Sequence, residues 1–333
     1  MIIVKEGYKS ELDLLETEIA IKYIKDNFER DFAEKMNLIR VSAPLFVRSK
    51  LNLNDHLNGH ERVILFDIPA IGEDAEIVQS LAKWKRVSLK SHNIIPDHGI
   101  YTDMNAIRRD EDLDNLHSIY VDQWDWEMVI TNEQRTYETL KEVVEKIYSV
   151  LLYTENKISQ KYSYIKKELP SEIFFISTKE LEKKYPNLSR KERENAICKE
   201  KKAVFLYQIG WPLEDGLSHD GRAADYDDWN LNGDILLWYD VLDRAVEISS
   251  MGIRVNKDSL LKQLKHKKEE HKLNTPYCQQ IINDEVPLSI GGGLGQSRIC
   301  MYFLRKMHIG EVQSSLWSEE ELLKLKELGI EIL

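Results

Sequence analysis

The chain has 333 residues, 42% hydrophobic and 31% charged, a composition that specifies a folded globular protein and excludes a disordered one. Its formal net charge of −11 argues against non-specific nucleic-acid binding, which rests on basic residues. Cys198, Cys278 and Cys300 are widely spaced with no CxxC pair, so neither a disulfide framework nor a zinc site is signalled and a reducing cytoplasm suits the chain. No apolar run approaches the length of a membrane span, and the first residues turn charged too soon for a signal peptide.

Residues 10–36 read as a long helix with Ser10 as its N-cap and Leu12, Leu15, Ile19, Tyr23, Phe28 and Phe32 at helical spacing. Residues 38–47 read as a strand interrupted by Pro44, which places it at an edge or a bulge. A polar loop over 48–59 carries Asp55 and His56. Residues 63–66 form a short strand, and 77–87 a helix that turns basic. Residues 100–112 pass from a strand into a charged turn.

Residues 117–127 form the clearest strand, rich in aromatic and β-branched residues. Side chains alternate faces along a strand, so Ile119, Val121, Gln123 and Asp125 share one face, and Tyr120, Asp122, Trp124 and Trp126 the other. Buried acids need partners, so a polar pocket on the sheet follows. Trp124 and Trp126 are expected in the core.

Residues 132–167 read mostly as helix and 173–176 as strand. Ser189 and Glu192 form a capping box for a short basic helix, and 204–209 is another strand. Residues 214–234 read as an acidic loop. Residues 235–238 and 245–255 read as paired strands, and 260–273, 276–283 and a last helix capped by Ser318 complete the set. Four glycines, Gly291, Gly292, Gly293 and Gly295, stand just ahead of Arg298. Alone they describe either a flexible strand-to-helix turn or bare backbone that a planar group or a phosphate approaches. Neither the dinucleotide fingerprint nor a P-loop fits them. His56, His92, His98 and His117 lack metal spacing and read as structural. The whole specifies one α+β domain over 1–333: a mainly antiparallel sheet flanked by helices.

Several stretches together resemble a known family. The long helix and the strand ending near Pro44, the strand leading into Arg108, and the glycines with Arg298 resemble motifs 1, 2 and 3 of class II aminoacyl-tRNA synthetases. Gln79-Ser80 with Lys85, and the pair of segments 232–235 and 247–254, resemble the aspartyl and asparaginyl branch. Segments 80–86, 120–127, 225–229, 231–235 and 247–254 are more similar still to a paralogous family, the ammonia-dependent asparagine synthetases.

This resemblance implies a class II synthetase-like catalytic core that joins aspartate and ammonia at the expense of ATP, through a β-aspartyl-adenylate, releasing AMP and pyrophosphate. It implies that Arg108 meets the α-phosphate and that Arg298 holds the adenine face or the γ-phosphate. Gly293 and Gly295 border the nucleotide. Asp234 and Glu247 become the magnesium candidates, since hard carboxylates suit that ion. Lys85 and Arg254 are candidates for the carboxylate that is not activated, and Gln123 and Asp125 for the ammonium and the reacting end. Ser80, Asp227, Ser250 and Asp55 complete the aspartate pocket. Asp125 or Asp227 is the expected base for ammonium. A homodimer is implied by motif 1, with no nucleic acid and no membrane as partners. Two other readings compete: a core that charges RNA, and a paralogue that binds an amino acid or adenylate without catalysis.

Overall fold

The computed structural model describes residues 2–3, 5–54, 57 and 61–333, so Asp55 and His56 lie outside the described residues. Helix α1 (Leu14–Lys35) starts three residues later than its apolar spacing suggests, because Asp13 is the cap. The Asp13 carboxylate accepts from the Glu16 N–H at 2.8 Å and Glu16 returns to the Asp13 N–H, a full capping box. Ser10 instead donates to the Leu12 carbonyl at 2.5 Å. The helix buries Ala20, Ile24, Phe28 and Phe32, whereas Leu15 and Ile19 are 71% and 53% exposed.

Pro44 separates two strands that join different sheets. β1 (Leu38–Arg40) enters the main sheet, and β2 (Phe46–Arg48) pairs with β4 (Glu73–Ile77), which also pairs with β3 (Ile64–Ile68). Helix α2 (Ala82–Ser91) therefore begins later than residue 77. Asn54 fixes that delay: its amide donates to the Ile77 carbonyl at 3.1 Å and its oxygen accepts from the Gln79 N–H at 2.9 Å, holding 77–79 extended.

β5 (Gly99–Ile107) and β6 (Tyr120–Val129) follow, then α3 (Tyr137–Lys161), β7 (Phe174–Ser177), α4 (Thr178–Lys184), α5 (Arg190–Lys201) and β8 (Ala203–Tyr207). β9 (Asp227–Tyr239) and β10 (Arg244–Arg254) form a long hairpin, so the acidic loop ends at residue 226, and Asp227, Asp228 and Asp234 belong to a strand. α6 (Lys257–Lys267), α7 (Pro276–Ile282), β11 (Ser289–Gly295), α8 (Gln296–Leu304) and α9 (Glu319–Glu327) complete the order.

The main sheet runs β1-β5-β6-β11-β10-β9-β8-β7. It is mixed, not mainly antiparallel: β1 runs parallel to β5 and β7 parallel to β8, with antiparallel pairs between them. The two edge strands lie within the segments 38–47 and 173–176 read as strands, but their parallel direction is not legible, because β1 and β7 are only 3 and 4 residues long and pairing partners leave no local signal.

One face of the sheet meets α1. Phe28 stacks on Trp124 at 4.8 Å between ring centres, and Phe32 meets Trp126 edge-on at 6.2 Å, so both tryptophans are core residues as expected. The alternation of β6 then sends Gln123, Asp125 and Glu127 to the opposite face, where the site forms.

A structural histidine near the chain's end makes stability depend on pH. His308 is buried, Nδ1 accepts from the Gly310 N–H at 3.1 Å, and burial pushes its imidazole down to about 4. An unfolded histidine titrates near 6.5, so between the two values the unfolded chain binds more protons. This contribution, about 3 kcal/mol at most, is complete above pH 6.5 and is lost as the pH falls toward 4. In His308→Gln the fall in melting temperature between pH 6.5 and 4 is expected to flatten relative to wild type. Parallel pH profiles for the two proteins contradict this assignment.

Candidate active site

The segment 289–295 is a strand, not a turn, and Gly291, Gly292 and Gly293 serve close packing across the sheet. None of Gly291, Gly292, Gly293 and Gly295 has a positive φ. A Cβ on Gly291 would lie 1.9 Å from Glu127 Oε2 and 2.6 Å from Arg254 Nη2. A Cβ on Gly293 would lie 2.4 Å from Gln123 Oε1. The missing side chains leave room for polar groups that reach across β11 from both neighbouring strands.

Gln123 and, with Glu127 behind it, Arg254 line one cavity. Its wall includes Ser80, Lys85, Arg108, Gln123, Asp125, Asp227, Glu247, Ser250, Arg254, Gly293, Gly295 and Arg298. Of the expected site residues, Asp234 sits just outside this wall. It stands opposite Ser250 in the β9–β10 register, and its Oδ2 pairs with Arg222 at 2.5 Å. Asp55 lies outside the described residues. His117, expected to be purely structural, also lines the cavity.

Each cation on the floor is matched by an acid. Lys85, on α2, is buried, pairs with Asp125 and donates to the Gly292 carbonyl at 2.9 Å. Burial pushes its ammonium down, and Asp125 opposes that shift. Arg254, at the end of β10, is 2% exposed and grips two carboxylates. Its Nε and Nη2 donate to Glu127 at 2.9 and 2.7 Å, and Nη1 donates to Asp227. The cross-strand pair with Glu247 that sequence proximity suggests does not form, because Arg254 turns toward β6 and β9.

Burial alone would raise the Glu127 carboxyl. Arg254, Lys85 and a 2.6 Å hydrogen bond from Ser289 outweigh it and hold the group below the usual carboxylate range. Burial wins at Asp227, whose carboxyl is pushed up despite Arg254. Asp125 Oδ2 and Asp234 Oδ1 are buried and accept no hydrogen bond among the described residues. Such orphaned acceptors cost free energy until a donor or cation meets them.

The two motif arginines hold the other end. Arg108 follows β5, with Nε donating to the Gln79 carbonyl at 3.4 Å and Nη1 3.9 Å from Glu111. Arg298 lies in the first turn of α8, and Nη1 donates to the Glu247 carbonyl at 3.1 Å.

Two residues of the site, Glu127 and Arg222, are not among those the sequence singles out. The alternation that put Gln123 and Asp125 on one face extends by two residues to Glu127, so that signal was present. Arg222 precedes a strand whose start reads as loop from its acids.

The architecture is that of the class II asparaginyl- and aspartyl-tRNA synthetase fold. An asparaginyl-tRNA synthetase of Entamoeba histolytica in complex with asparaginyl-adenylate superposes with a TM-score of 0.63 at 15% identity, over 90% of this chain and 66% of that one. One from Pyrococcus horikoshii, also with asparaginyl-adenylate, gives 0.63 at 15% identity over 91% of this chain and 70% of that one. A family model described as aspartate-ammonia ligase matches residues 15–329. The aspartate–ammonia ligase of Ruminiclostridium cellulolyticum is 57% identical over 333 residues, covering 100% of this chain and 99% of that protein. Those of Clostridium tetani and Bacteroides thetaiotaomicron are 57% and 51% identical, covering 98% and 99% of their lengths. The chain belongs to the aspartate–ammonia ligase family.

Proposed function

We propose that this enzyme makes asparagine from aspartate and ammonia, using ATP and releasing AMP and pyrophosphate. The observation that carries the reading is one cavity in which paired cation–acid sites for an amino acid adjoin two arginines suited to phosphates. Relatives more than 50% identical over their full lengths are named for this activity.

A carboxylate is a poor acyl donor. In the first step a β-carboxylate oxygen of aspartate attacks the α-phosphorus, the bond to the bridging oxygen breaks and pyrophosphate leaves. In the second, ammonia attacks the acyl carbon, the C–O bond breaks and AMP leaves with the carboxylate's oxygen. Arg108 meets the charge that develops on the α-phosphate, and Arg298 holds the nucleotide. Lys85 and Arg254 bind the carboxylate that stays unactivated, with their present acid partners holding the orientation. Gln123, Ser80 and Ser250 shape the pocket, Gly293 leaves room for the Gln123 amide within it, and Gly295 borders the nucleotide beside Arg298.

Asp125 or Asp227 takes the proton that must leave the incoming nitrogen. Asp125→Asn and Asp227→Asn are expected to slow ammonia use more than adenylate formation, the latter followed by aspartate-dependent exchange of pyrophosphate into ATP. Equal loss in both steps counts against a base role.

Asp234 and Glu247 fit magnesium. Burial, with Glu247 and Asp220 nearby, pushes the Asp234 carboxyl up even against Arg222, and one of its oxygens is orphaned. A hard cation relieves both conditions. Magnesium would supply charge neutralisation on the phosphate oxygens.

We further infer a single catalytic domain, a cytoplasmic location and a homodimer. Exposed Leu14, Leu15 and Ile19 on α1 and Ile39 on β1 support an interface along the motif 1 segment. No helix among the described residues is long and apolar enough to cross a membrane.

The test is product analysis with Mg-ATP, aspartate and ammonium chloride, without RNA. Asparagine and AMP are expected in equal amounts, each dependent on ammonia. Pyrophosphate exchange without asparagine would mean that another acceptor is used, and neither signal would mean a binding protein.

A further inference from the structure

Arg298 owes its place to a helix that does not cap itself. It lies in the first turn of α8, whose N-cap is Gly295, with no side chain to accept the free N–H groups of that turn. A Cβ at Gly295 would stand 3.3 Å from Arg298 Cβ, so a capping side chain there would press on the arginine. The acceptor comes from β6 instead. Asp122 Oδ1 accepts from the Ser297 N–H, one residue before Arg298, at 3.0 Å. A carboxylate at this end of a helix also meets the positive pole of the helix dipole.

Asp122 is held in turn by two other elements. Lys25 on α1 donates to Oδ2 at 2.9 Å. Gln313, beyond α8, donates to Oδ1 at 3.3 Å and to Ser297 Oγ at 3.1 Å. Asp122 is 6% exposed, and a buried carboxylate met by donors on both oxygens has little freedom to turn. From the turn so fixed, Arg298 reaches the cavity wall, where Nη1 donates to the Glu247 carbonyl at 3.1 Å.

We propose that Asp122 is a positioning residue for nucleotide use: by capping α8 from β6, and keyed to α1 through Lys25, it sets where Arg298 meets ATP. This rests on the ligase reading above, in which Arg298 holds the nucleotide. Both oxygens of Asp122 already have protein donors, so it acts through Arg298 and not on a substrate.

The experiment follows asparagine formation by full-length wild type, Asp122→Ala, Asp122→Asn, Arg298→Lys and the double variant Asp122→Ala/Arg298→Lys, with ATP and aspartate varied separately. Asp122→Ala is expected to lower kcat/KM for ATP by about 10-fold, the scale of a lost helix cap, with the KM for aspartate unchanged. In the Arg298→Lys background the same substitution is expected to cost about 2-fold or less, because the side chain it positions is already gone. Asp122→Asn keeps the volume and serves if Asp122→Ala does not fold. It shows a smaller loss of the same kind, and adding Lys25→Met, which removes the ammonium left unpaired, restores ATP use toward wild type. A purely structural cap would raise both KM values, or cost as much in the Arg298→Lys background as in wild type. Either result, or no loss on ATP, overturns the proposal while asparagine is still made. No asparagine from wild type overturns the ligase reading and this proposal together.

Discussion

Replacing Arg254 with methionine is expected to abolish asparagine formation and to lower the unfolding free energy by about 3–5 kcal/mol, because two buried carboxylates lose their cation. Glu127 is fully buried and Asp227 nearly so, and Arg254 supplies donors to both. Burial opposes the charge on Arg254 itself, but the two acids hold it cationic far above neutrality, so no pH change in the working range substitutes for the mutation. Adding Glu127→Gln to Arg254→Met should recover part of the lost stability, since one uncompensated charge is removed, and none of the activity. Chemical denaturation of the four proteins of this cycle measures the coupling. A single variant as stable as wild type, or one that retains the normal KM for aspartate, contradicts the role given to the cluster.

Gly291→Ala is expected to be nearly as damaging, although it adds one methyl group. The new Cβ would overlap Glu127 Oε2 at 1.9 Å and crowd Arg254 Nη2 at 2.6 Å. Both atoms belong to the ion pair, so relief means breaking it. A stability loss of about 3 kcal/mol or more follows from overpacking combined with a displaced buried charge. Activity should fall by about 100-fold through misplacement of Arg254. Gly295→Ala is the comparison, since its Cβ would come no nearer than 3.3 Å, to Arg298 Cβ. Thermal unfolding should rank Gly291→Ala well below Gly295→Ala, and the reverse order would show that the glycines serve backbone freedom instead of packing.

These two predictions mark what a sequence can and cannot show. The blocks around Ser80, Gln123, Asp227, Glu247, Arg254 and Arg298 could be named as one site before any fold was known, because their residue types and order resemble a family. The alternation of β6 correctly divided the tryptophans from Gln123 and Asp125. The partner of Arg254 was not legible. Glu127 stands two residues along the same face, but only the pairing of β6 with β11, and of β11 with β10, brings it across the glycines. The glycines misled for the same reason: local chemistry describes a turn, whereas their cause is a side chain on the next strand.

Ser10 and Asp13 compete for the start of α1, because a serine and a carboxylate are equally good caps, and only Glu16 three residues beyond Asp13 separates them. Asp227 and Asp228 read as loop from sequence because acids are poor strand formers. Here Asp228 is neutralised by Arg135 at 2.7 Å and Asp227 by Arg254, so tertiary ion pairs override propensity.

Transfer of isotopic oxygen decides whether the β-carboxylate is the group that is activated. Aspartate labelled with 18O in the β-carboxylate alone is converted with Mg-ATP and ammonia, and AMP is analysed by mass spectrometry. One labelled oxygen in the phosphate of AMP is the predicted result, since the attacking oxygen leaves with AMP when nitrogen takes its place. Unlabelled AMP, or label appearing in inorganic phosphate beside ADP, would contradict the account.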